Sequence, residues 1–583
     1  MTTRDMQASG STYGSALSQA SVNLVQAAFG RASLLLPPPR AITPGAIVVA
    51  PEPMRDGNPD KGREIYRGRY TLAGETITTG AVLPYECVAS RAWHEQLHAF
   101  GWLADLQAGG SELQRAQARS LLGDWIKTRD GHHPTAWQMG TTARRLLNLL
   151  YTSAFLLEKA GDQFEDVFFV SVGRHIRWIQ RRLPFAPASR GKLDAAIALS
   201  YASVCLDTGP KFRDMAFQAL SRELSNQILT DGGHISRNGQ TLVDVLLDLV
   251  PLAEIIEHQG IEFPAHLCNS IDRAVPMARM LCHGDGGLAA FNGVGSAMRG
   301  AIRAILNHDE IGGKPVAYAS YSGYSRLNHK RTIVIVDWGV PPAPPFAAQA
   351  HASTLAFELS EGLQRIVVSC GEPPPHMREW GKHVRATAAH STACLADRSS
   401  IRFFENGLVR KLLGGPVHWG LRDVNCAVDR HEGGTLMTAS HDGYVRSNGL
   451  LHERALWLSP DGLNLRGEDN FAPVSEAPRN LNHQSYTIRF HLHPSVKATL
   501  SQDQNSAMLL LPDRTGWRFS AKGARLSLED SVYLVDRPNP QKTLQIVLSG
   551  YAAEGHKVLW AFKKVEKQVK NQLDLQAAPE LPL

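Results

Sequence analysis

The feature that most limits this chain is a change of hydrophobic period partway along it. From Trp93 to about Leu306, apolar residues recur in helical blocks of 12–20 residues, such as TTARRLLNLLYTSAFLLEKA and QTLVDVLLDLVPLAEIIEH, parted by short Gly, Pro or Asp punctuation. In TLVDVLLDL, Leu242, Val245, Leu246 and Leu249 form one stripe, and Asp244 and Asp248 fall four apart on the face that reads as wet. Amphipathic hairpins in such a series build a toroid or solenoid rather than a four-helix bundle. After about residue 312 the period drops to two: RTIVIVD, STLAFELS, QRIVVSC, SYTIRFHLH and TLQIVLS are short, β-branched and bounded by Gly, Asp or Pro. The expected architecture is multidomain, α then β: a helical ring over 86–311 and a large antiparallel β-sandwich over 312–565.

Flanking segments read differently. Residues 1–85 hold LLPPPR, TPGAI and APEPMRDGNPDKG, where long elements are not expected, so they read as an extension draped over the body. The tail 566–583 is expected to fray or to pack as one short helix. At 583 residues the chain has room for two to four cores. A net charge of +6 over that length is too small to mark a nucleic-acid binder, although it suits an acidic ligand. Seven cysteines without a CxxC pair argue against a disulfide framework or structural zinc and read as reduced core thiols. No apolar run is long enough to span a bilayer, and the N-terminus lacks the pattern of a secretory signal, which on these grounds alone places the protein in the cytoplasm.

Several phrases carry more information than the periodicity. DGGHISRN (231–238), HGDGGLAAFNG (283–293), AHASTLAFELSEGLQRIVVSCG (350–371), ATAAHSTACLAD (386–397), HDGYVRSNGLLHERALWL (441–458) and RFHLHP (489–494) lie collinearly over about 260 residues. In that order they resemble the heparinase II/III-like polysaccharide lyases, in particular their proteobacterial branch. The resemblance implies an incomplete (α/α) toroid followed by a β-sandwich, an acidic polysaccharide or oligosaccharide in the cleft between them, and a place in the cell envelope or periplasm. Elimination at a uronate requires the C6 carboxylate to be neutralised, a base near C5 and an acid at the leaving oxygen. Members of the family are expected to supply an Asn-His pair and a Tyr from the helices and a His from the first sandwich strands.

Carried over residue by residue, the pattern is only partly kept. His351 stands where the family places its strand His, and strand alternation puts it on the face of Leu355, Phe357 and Leu359, inward or toward the other domain. The Tyr position holds Thr241, and Gly191-Lys192 stand near the expected Asn-His pair. Lys192 reads either as a replacement cation or as a solvated helix-start lysine. Tyr318, Tyr321 and Tyr324 fall at the junction of the two architectures, and Tyr321 is the candidate for the missing phenol, with packing the alternative for all three. Arg237, His234 and Asn238 form a cluster of donors suited to carboxylates or sulfates, with Asn238 alternatively a helix cap. Of the tryptophans in the helical half, among them Trp125 and Trp137, Trp137 beside Arg144 and Arg145 reads as a sugar platform or as core.

Some members of the family bind zinc through the strand His, an Asp and a later His. Here the middle position is Ser369, so His351 and His390 leave two ligands of three, and no cofactor is expected. His491 and His493 share a strand face with Arg489, either as a metal or sulfate bridge or as a solvated face. The glycine-rich HGDGGLAAFNG lacks the Lys-Ser/Thr of a phosphate loop and reads as a tight turn near the interdomain groove. Three functions follow in order. The first is a lyase with His351 and Tyr321 catalytic and Arg237, His234, Asn238, Trp137 and Arg144 binding substrate. The second is a glycan-binding, envelope-associated protein that has lost the chemistry. The third is hydrolysis by the carboxylates of Asp231 and Asp285.

Overall fold

A computed structural model of the chain describes residues 44–565, apart from 81, 130–134, 297, 308–312, 405–406, 408–412, 414, 475–483, 536, 538 and 553–556. The expectations for residues 1–43 and for the tail 566–583 lie outside the described residues. Helices dominate from Arg91 to Leu306 and strands from Tyr318 to Val565, in the order that the change of period predicts. The helices form an (α/α) toroid and the strands a two-layered antiparallel sandwich.

Among the described residues one layer has eight strands. Val424–His431, Gly434–His441, Leu450–Leu458 and Asn464–Pro473 run as a meander onto Lys557–Val565, and Gly516–Lys522, Ser506–Leu510 and Lys497–Leu500 complete it. Along Leu450–Leu458 buried and half-buried residues alternate strictly, the period-two signature of a strand with one face in the core. The other layer has nine strands among the described residues, with Thr332–Asp337 and Ala356–Glu361 near its middle, buried on both faces. Phe357, Phe490, Trp560 and Phe562 interlock between the layers.

Residues 44–85 carry an eight-residue helix, Pro59–Tyr66, and the hairpin Arg69–Leu72 with Glu75–Thr78. They lie on the helical body: Ile47 bridges to Leu206, and Ile65 and Tyr70 join the helical core.

The glycine-rich turn explains how the two parts are held. His283 spans Glu358 (Nε2 to Oε2, 3.0 Å) and Ser360 (Nδ1 to Oγ, 2.8 Å), while Asp285 takes Arg365 at 3.0 and 3.1 Å. A Cβ on Gly284 would stand 1.9 Å from the carbonyl oxygen of Gly362, so only glycine allows the turn to reach the sandwich this closely. Asp285 is therefore part of a seam. Asp231 is likewise occupied, receiving the Ser322 N–H and hydroxyl, both at 2.7 Å, so neither carboxylate is placed for hydrolysis.

Two local readings are corrected. Asp248 is not on a wet face: it is fully buried, because the helix Gly239–His258 turns that side toward two arginines. The cysteines are all free, but Cys268 is exposed and Cys87 and Cys426 are half-buried.

Candidate functional site

A cavity of about 610 Å³ opens in the toroid, and Gln349 from the sandwich side closes one part of its wall. Thr241 and Arg190 line it, so the cavity coincides with the positions where the resemblance expects a Tyr and an Asn-His pair. Its cations are Arg55, Lys61, Arg144 and Arg190; Asp56, Asp105, Asp194 and Asp244 face them.

The arginines are already engaged. Arg144 grips Asp248 with both ends of its fork at 3.0 and 2.8 Å, and Arg55 closes on the same carboxylate. Arg190 holds Asp194 at 2.9 Å and donates to the Thr241 carbonyl at 2.9 Å. Burial by itself raises the Asp248 carboxyl, but Arg144 and Arg55 outweigh it and hold the group below the ordinary carboxylate range. Tyr151, the one phenol in this wall, has its pKa raised by burial and then by Asp248, which makes it a poor base. What the paired arginines leave to a ligand is the exposed Lys61 and the amides of Gln96, Asn148, Gln240 and Gln349, while Trp102, buried in the wall, gives its indole N–H to the Leu97 carbonyl at 2.9 Å.

The site residues expected from sequence are dispersed. Arg144 and Asn238 line the cavity, whereas His351, Tyr321, Arg237, His234 and Trp137 do not. Asn238 caps the helix Gly239–His258 through Thr241 N–H at 2.9 Å and donates to Gln349 at 3.1 Å, so the capping alternative holds. Arg237 is buried against Asp337 and donates to the Ser322 carbonyl at 2.7 Å over the Tyr324 ring. Its charge is spent on joining the two domains, since the left-handed backbone at Arg237 (φ 61°) turns the side chain toward the sandwich. His234 is buried between Ser236 and Gln227, and its pKa is lowered to about 3 by burial and then by Arg190, leaving it neutral and unsuited to anions.

Tyr321 is 64% exposed on a turn whose N–H binds Asp231, and Tyr324 is buried with its hydroxyl on the Arg237 carbonyl at 2.6 Å. Tyr318 stacks on Trp338. None of the three lines the cavity. Trp137 stacks on His175 and leans on Trp125 and Trp178, with Arg145 held among the rings, so it belongs to the core. Burial brings Arg145 down to about 9. Lys192 lies 3.4 Å from Glu223 and is not a replacement cation in the cavity.

His351 precedes the strand Ala356–Glu361, and Leu355 between them has a left-handed backbone (φ 64°), so strand alternation does not reach it. It is buried all the same, with none of its side chain exposed. Nδ1 meets His390 Nε2 at 3.2 Å and Nε2 meets Glu372 at 3.1 Å, so both ring nitrogens are occupied. The zinc set fails a geometric test. Glu372 meets the opposite edge of the His351 ring from His390, Ser369 turns its N–H to Glu358, and no group of three or more metal-binding side chains converges among the described residues. His491 is buried on Ser531 and the Ala388 carbonyl, its pKa lowered by burial to about 4, and His493 bonds Ser495, so the pair makes no bridge.

Sequence reading missed Asp248, Arg55 and Arg190. The available signal was an aspartate within LLDLVPL, flanked on both sides by apolar residues, which calls for a buried cation nearby.

Comparisons with known proteins bear on this geometry. The heparinase II/III-like C-terminal family description matches residues 311–561. The FtsZ-localized protein C of Caulobacter vibrioides is 31% identical over 552 residues, 92% of each chain. Among solved structures, a heparinase III superposes with a TM-score of 0.67 at 12% identity, covering 96% of this chain and 91% of that one. The heparan sulfate lyase HepC of Pedobacter heparinus gives 0.57 at 13% identity, covering 94% and 88%. No helix among the described residues is long and apolar enough to cross a membrane.

Proposed function

The chain belongs to the heparinase II/III-like family, and from that premise we propose that it keeps the lyase fold as a glycan-binding, envelope-associated protein without elimination chemistry. The observation that carries this reading is His351, sealed between His390 and Glu372 with no exposed side chain. A general acid or base has to come within hydrogen-bond reach of the proton it moves, and this imidazole has no open face. The cavity reinforces the reading, because Thr241 replaces the phenol and the arginines that would neutralise a uronate are paired with aspartates.

A cavity edged by amides and hydroxyls suits the hydroxyl groups of a sugar. The relative from Caulobacter vibrioides is named for a location with FtsZ, and we extend that placement to this chain. Incubation with heparan sulfate, alginate and bacterial acidic exopolysaccharides is expected to yield no ultraviolet absorbance of unsaturated uronate, while a glycan array reports binding. Steady growth of that absorbance would restore the lyase. A fluorescent fusion is expected to coincide with FtsZ in dividing cells and to fractionate with the envelope; a diffuse signal would remove the placement.

A further inference from the structure

A second cavity of about 610 Å³ lies on the flank of the sandwich and shares no lining residue with the toroid cavity. Its charge is one-sided: Lys382, Arg385, Arg398 and Arg402 face a single carboxylate, Asp397. Lys382, Arg398 and Arg402 are exposed, and the Arg385 guanidinium lies 4.2 Å over the Phe403 ring.

The shape is as informative as the charge. Ile401, Arg402, Phe403 and Phe404 all line the groove, although successive residues of a strand point to opposite faces. Among the described residues, strand Arg402–Phe404 pairs with Val417–Trp419 alone, and none of those three partner residues lines the groove. The groove therefore runs along the edge of the strand away from Val417–Trp419, and Lys382 and Arg385 line it too, Arg385 stacked on the Phe403 ring. An edge of this kind offers backbone N–H and C=O groups to an incoming strand.

We propose that this groove is a peptide-docking site that takes an acidic, extended segment as a strand added to Arg402–Phe404. Backbone pairing sets the segment's direction, and its carboxylates meet Lys382, Arg398 and Arg402. Exposed Phe404, 52% accessible, offers a ring to an apolar side chain between the acids. A sugar would use the cations and leave the strand edge unpaired, so the edge is what favours a peptide.

The test uses the full chain and a fluorescent peptide that alternates glutamate with valine, read by polarisation. Binding is expected to weaken with added salt and to fall by about tenfold or more in the double variant Lys382→Glu, Arg402→Glu. Replacing alternate valines of the probe by proline keeps its charge, removes N–H donors and is expected to abolish binding. Because these side chains are exposed, an unchanged melting temperature confirms that the variant folds, and Arg398→Glu serves as an independent second variant. Equal binding of the proline probe, insensitivity to the charge reversals, or equal competition by a uronate oligosaccharide would each overturn the proposal.

Discussion

The toroid cavity and the flank groove are of similar size and each carries four cations, yet they offer a ligand opposite things. In the cavity Asp248, fully buried, holds Arg55 and Arg144, while Asp194 holds Arg190, so the charge of the three arginines is structural and Lys61 is left at the exposed edge. In the groove one exposed aspartate faces the exposed Lys382, Arg398 and Arg402, while Arg385 donates to the Ala350 carbonyl at 2.9 Å. A site's affinity for anions depends on which cations remain unanswered, not on how many line it.

The strongest way to break that contrast is to remove Asp248. Asp248→Asn strands two arginines and is expected to cost about 3–5 kcal/mol in denaturant unfolding. Because the native carboxyl is held below its unfolded value, its stabilisation is complete above about pH 4 and is lost on further acidification. The gap between variant and wild type should therefore close as the pH falls below that point. If the variant folds at neutral pH, its cavity is expected to gain affinity for uronate oligosaccharides.

Next in size, Trp137→Ala should cost about 2 kcal/mol without changing glycan binding, since the half-buried ring packs on His175 and does not line the cavity. A selective loss of glycan binding would return Trp137 to the site. In the groove, Arg398→Glu alone is expected to weaken the acidic peptide by about threefold, less than the double reversal, with glycan binding at the cavity unmoved. A further effect, confined to acid pH, concerns His491. Its folded pKa is about 4 against an unfolded value of about 6.5, so it contributes stability above the higher value that is lost as the pH falls toward the lower. His491→Gln should flatten the dependence of unfolding free energy on pH in that window by about one proton.

Much of the fold was legible in the chain. Leu242, Val245, Leu246 and Leu249 are buried along one helix, and the strand of LLHERALWL alternates as written. The site was less legible. Arg237 and Arg144 look alike on paper, but one crosses the domain seam to Asp337 and the other meets Asp248 across the cavity wall, partners 100 and 104 residues away. Nothing local reports such pairings. His351 was found through its motif, yet whether its ring meets solvent depends on His390 and Glu372, which fold over it from other segments.

By itself the sequence determined that helices precede strands, because hydrophobic spacing is a local property that each element must satisfy to bury one face. It also determined the glycines that allow the seam to close. Only the tertiary structure decided which charges are spent and which are offered, because Coulomb attraction and desolvation act between groups the chain brings together from far apart.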